Sequence, residues 1–95
     1  MKTERELAEA FCRIGDPKIM RRFFEEIFTP NERKDLSLRW ELMKRLKHGI
    51  PQRAIAAELH ISLCKITRGA KIVHNPKSVT NRLFAGRIRK KEKNA

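Results

Sequence analysis

Three histidines, two cysteines and a scatter of cations are the side chains of this 95-residue sequence with chemistry to offer. His48, His60 and His74 have no carboxylate or nucleophile at a recognisable catalytic spacing, and there is no glycine-rich phosphate loop. Cys12 and Cys64 stand far apart, outside any CxxC or Cys/His ligand pattern, and read as reduced structural thiols. Catalysis and metal binding therefore find no support, and the expectation is a protein that is not an enzyme and carries no metal. Anion binding is what remains. Ser62, Leu63, Cys64, Lys65 and Thr67 are short side chains plus one cation, suited to a helix lying close on the floor of a nucleic-acid groove. Arg53 and Lys71 flank them and, with Lys65, Ser62 and helix N-terminal N–H groups, could meet phosphates; Gln52 opens the same unit.

The charge supports such a partner. The formal net charge is +12 and the pI about 10.6, which calls for a polyanion. It is unevenly placed. Residues 1–28 are neutral, 29–49 and 50–75 carry +3 each, and 76–95 carry +6. The neutral third is also rich in apolar residues. No apolar run approaches the roughly 20 residues of a membrane span, and no signal-peptide pattern opens the chain, so a cytoplasmic, nucleoid-associated protein is expected.

The elements that must position these groups are helical, since Leu, Ala, Glu, Lys, Arg and Ile dominate while Gly and Pro are few. In TERELAEAFCRI, Leu7, Ala10, Phe11 and Ile14 share a face at helical spacing, with Thr3 and Glu6 as a capping box. GDP at 15–17 ends that helix and starts another, Asp16 capping and Pro17 first in the helix. This second helix carries Ile19, Met20, Phe23, Phe24, Ile27 and Phe28, more apolar than a solvated surface helix of a small monomer would be. The face predicts a core shared with a second subunit. TPNER repeats the start signal with Thr29 as N-cap, Pro30 first and Glu32 closing the box. The longest helix then runs through Leu36, Trp40, Met43 and Leu46 to Gly49.

Ile50 to Gly69, IPQRAIAAELHISLCKITRG, reads as two short helices about a three-residue turn. Pro51 opens the first, with Ile55 and Leu59 inward; Ser62 caps the second, with Ile66 inward. Such units need a left-handed backbone residue at the turn, where Gly is usual. His60 stands there, one of the non-glycine types that tolerates positive φ. Val79, Leu83, Phe84 and Ile88 suggest a last helix interrupted by Gly86. The expected domain is 1–86 with its helix-turn-helix at about 51–73, and 87–95 is expected to be a basic, disordered tail.

FTPNERKDLSLRWELMKRLKHG followed by QRAIAAELHIS and KITRG resembles the tryptophan repressor family of helix-turn-helix proteins over about residues 16–73. The resemblance rests on TPxER, an Arg seven residues after that Glu, Gln-Arg opening the reader unit and ITRG closing it. It implies an all-α fold of about six helices, an intertwined homodimer, and repression at a double-stranded DNA operator when L-tryptophan binds as corepressor. By motif, Arg39 and Arg68 match the two arginines that sandwich the indole. A planar guanidinium stacks on an aromatic face and holds a carboxylate. Thr29, Glu32 and Gly69 match further positions near the ligand, with Phe28 replacing the usual Leu.

The chain departs from the family at Ile72, where a Ser helps position the ligand's amino group. RGAK also replaces RGSN, Gly49 to Gln52 is one residue shorter, and the last helix is basic. Three control modes stay open: tryptophan, another small amphipathic ligand, or none. Beside the repressor stand two other readings, a basic RNA- or ribosome-associated protein and a module whose apolar N-terminal half pairs with a different protein. Against RNA, Phe and Trp sit at core spacing instead of forming a stacking platform.

Overall fold

Local start and stop signals account for most helix boundaries in the computed structural model, which describes residues 1–86. There α1 spans Lys2–Arg13, α2 Pro17–Ile27, α3 Pro30–Lys47, α4 Gln52–Leu59, α5 Leu63–Val73 and α6 Val79–Phe84, and no strand occurs among the described residues. Asp16 accepts from the Lys18 N–H at 2.8 Å with Pro17 leading α2. At α3 the Thr29 N–H donates to Glu32 Oε1 at 2.9 Å and the Glu32 N–H to Thr29 Oγ1 at 3.2 Å, the reciprocal pair of a capping box. Gly49, at φ +84°, ends the same segment in the left-handed region.

Two boundaries differ from expectation. The N-cap of α1 is Met1, without a side-chain hydrogen bond, so Thr3 lies inside the helix and the Thr3/Glu6 box does not form. Pro51 is the N-cap of α4, not its first residue. The last helix ends at Phe84, with Gly86 at φ +77° just beyond. Ile88 and the basic tail at 87–95 lie outside the described residues.

The chain groups into two compact units, Met1–Asp35 and a second beginning at Leu36; the division falls inside α3. In the first, neither α1 nor α2 buries a single side chain. What holds them is aromatic. Phe11 meets Phe23 and Phe24 edge-on at 5.2 and 5.9 Å and stacks on Phe28 at 6.4 Å, and Phe24 meets Phe28 at 5.4 Å. Arg33 donates to the Phe28 carbonyl at 2.6 Å, satisfying a group at the end of α2. Ile19, Phe24 and Ile27 stay 36–47% exposed.

The second unit has a closed aliphatic core of Leu42, Met43, Leu46, Ile55, Ile66, Ala70 and Val73, with Ile55 and Ile66 fully buried. Three helices, α3, α4 and α5, contribute to it. Trp40, expected at core spacing, is 44% exposed and stacks on Phe84 of α6 at 4.3 Å. No helix of the described residues is long and apolar enough to cross a membrane.

Candidate nucleic-acid interface

The turn between α4 and α5 is set by one residue. His60 caps α4 at φ 55°, ψ 47°, in the left-handed region, and its N–H bonds the Ala56 carbonyl. The Ile61 N–H reaches the same carbonyl at 3.3 Å. Ser62 then starts α5, its Oγ accepting from the Lys65 N–H. Ile55 and Ile66 lock the two helices from inside, with Ala56, Leu59 and Ile61 packed around them. This is the helix-turn-helix expected from the sequence, with histidine tolerated where glycine is usual.

The orientation of α5 follows from its core residues. Ile66, Gly69, Ala70 and Val73 face inward and are buried, which leaves Leu63, Cys64, Lys65, Thr67, Arg68 and Lys71 exposed. Gln52 and Arg53, at the start of α4, are exposed as well. Among the described residues, Arg53, Lys65, Arg68 and Lys71 enter no ion pair. Four unneutralised cations thus surround the helix-turn-helix, the electrostatic footprint of a phosphate-bearing partner.

A second set of charges is consumed internally. Arg45 donates from Nε to Glu41 at 2.9 Å and from Nη1 to Glu58 of α4 at 2.6 Å, with Lys44 3.3 Å from Glu41. The Arg45 hydrogen bond, then the Lys44 one, holds the Glu41 carboxyl below its ordinary value of 4.5. The same bond to Glu41 pushes the Arg45 guanidinium up. This network ties α4 to α3 and so orients the first helix of the unit. Sequence inspection missed it because Arg45 and Glu58 are thirteen residues apart, beyond any i,i+4 signal.

The residues matched to a ligand divide between the two units. Phe28 is part of the aromatic cluster of the first, and the Thr29 and Glu32 side chains are committed to their capping box. In the second, Gly69 lies at the α3–α5 crossing. A Cβ there would clash with Leu42 Cδ1 and lie 3.3 Å from Met43 Cγ, so glycine is what lets the helices approach. Arg68 directly precedes Gly69, and Arg39 lies one turn before Leu42 and Met43; both arginines are exposed and stem from the two helices that cross. Ile72 is half-buried and packs against the core.

Comparison with known proteins bears on this geometry. No curated protein and no solved structure matches the chain. A family model, described as Trp repressor protein, matches residues 3–85, nearly the whole chain, including the helix-turn-helix and both arginines. The six-helix architecture agrees with that helical family. By that match over nearly its whole length, the chain belongs to the Trp repressor family and is a DNA-binding transcriptional regulator.

Proposed function

We propose that the protein is a homodimeric, sequence-specific repressor that reads a double-stranded operator with α5 and acts from the cytoplasm on the nucleoid. The observation that carries the reading is the outward face of α5: its inner side is spent on the core, and its outer side offers Leu63, Cys64, Lys65 and Thr67 beside Arg53 and Lys71. Dimerisation is supported by the first unit, whose helices bury nothing while four phenylalanines and two isoleucines gather on them. A second copy would cover that face. The melting temperature should then rise with protein concentration and light scattering should give twice the chain mass; a monomeric mass with a concentration-independent melt would defeat the dimer.

Control by a small corepressor, L-tryptophan being the ligand the family resemblance implies, would use Arg39 and Arg68 as guanidinium planes at the α3–α5 crossing. One observation favours a second reading, binding without a corepressor: Ile72 packs half-buried against the core and offers no hydrogen bond to an ammonium group. Calorimetry with L-tryptophan, alone and with operator DNA, decides. Under corepressor control, tryptophan binds, Ile72→Ser binds it more tightly and Arg68→Ala binds it weakly. No heat with wild type or Ile72→Ser, together with loss of DNA affinity in Arg68→Ala without ligand, would make Arg68 a phosphate contact and leave no corepressor.

A further inference from the structure

Both hydroxyls near the start of α5 are already engaged with its own backbone. Ser62 Oγ accepts from the Lys65 N–H, and the Thr67 hydroxyl donates back to the Leu63 carbonyl at 2.9 Å. Back-bonding of this kind spends the donor of a helical threonine, so that what it still offers a partner is an acceptor lone pair and its methyl. Leu63, one turn earlier on the same side, is 49% exposed although it is a large aliphatic residue at the start of a helix. Cys64 adjoins both and is exposed too. The N-terminal half of the helix therefore presents an isobutyl group, a methyl and a thiol side by side, with Lys65 and Lys71 bordering them.

An apolar patch ringed by cations fits one feature of a DNA major groove. Among the four bases only thymine shows an apolar group there, its C5-methyl, while its neighbouring phosphates satisfy the cations. We infer that Leu63 and Thr67 make this protein a reader of thymine methyl groups, so that its operator half-site carries thymine at the one or two positions under them. The inference rests on the proposed role of α5 as the groove-reading helix, and it names what that helix selects.

The test uses the full chain in two steps. Selection from random duplex DNA first yields the preferred site. Failure to enrich any sequence would overturn the operator-reading role itself, and this inference with it. On the selected site, thymines are then replaced one at a time by deoxyuridine, which removes only the methyl. Affinity should fall about four-fold for each contacted methyl, as burial of one such group implies, with the salt dependence unchanged because no phosphate contact is lost. Leu63→Ala and Thr67→Ser should each reduce the thymine–deoxyuridine difference, while Thr67→Val, which keeps a methyl, should preserve it. Equal affinity of the wild-type protein for the thymine and deoxyuridine forms at every position would overturn the inference and leave a site read by shape or by the cations alone. That outcome needs no variant, so a substitution that impairs folding cannot obscure it.

Discussion

The first unit, up to Asp35, and the unit that begins at Leu36 solve the problem of hiding apolar surface in opposite ways. The second puts seven residues from three helices into a core that is closed within one chain, and keeps its cations outside. The first gathers larger side chains yet closes nothing: four phenylalanines touch one another, and Ile19 and Ile27 remain 47% and 41% exposed. Its charge is balanced, so no polyanion competes for the face. One chain thus holds a part with a closed core and an exposed cationic face, and a part whose apolar side chains stay open. Under the proposed dimer, that open aromatic area is the surface a second copy would cover.

The contrast breaks most visibly at Ile66. Ile66→Ala removes a fully buried side chain and should cost about 2–5 kcal/mol at any protein concentration. Phe24→Ala should cost less in dilute protein, where only its contacts with Phe11 and Phe28 are lost, and progressively more as copies associate. Denaturant melts across a concentration series measure both, and equal, concentration-independent losses would erase the distinction between the units. Gly69→Ala comes next. Its new Cβ meets the buried Leu42 and Met43, so overpacking outweighs the gain in helix propensity and the net loss should be about 1 kcal/mol. Such a loss, with unchanged affinity for any small ligand, would assign Gly69 to packing alone.

His60→Gly acts in the other direction. Relief of a left-handed non-glycine residue should stabilise the second unit by about 0.5–1 kcal/mol in thermal melts. The smallest effect belongs to the exposed ion network. Glu41 has a folded pKa below its unfolded value, so its contribution is fully present above about 4.5 and is lost as pH falls through the folded value. Glu41→Gln should flatten the acid limb of the stability curve in that window and leave neutral-pH stability little changed. An acid limb of unaltered steepness would mean Glu41 does not help to hold α4.

How far these features can be read from sequence depends on the span of the interaction. Asp16 with Lys18, Thr29 with Glu32, Ser62 with Lys65 and the strained His60 are all settled within four residues, and each was legible. Thr3 misled because a capping box needs a non-helical backbone at its first residue, and here the helix already begins at Lys2. The exposure of Trp40 and the close approach of Gly69 to Leu42 depend on partners more than twenty residues away, which periodicity along one helix cannot register. The candidate site shows the same limit. Which residues line the outer face of α5 follows from the inward Ile66, whereas the bond of the Thr67 hydroxyl back to the Leu63 carbonyl depends on a rotamer that spacing does not encode.

Trp40 is the single tryptophan of a chain that has no tyrosine, and it stacks on Phe84 with 24° between the ring planes. The protein therefore carries one intrinsic fluorophore of consequence, seated where α6 meets α3. Its half-exposed indole should emit further to the red than a buried one, and loosening of α6 should shift that emission before the aliphatic core gives way. The chain thus reports, by light alone, whether its last described helix is docked.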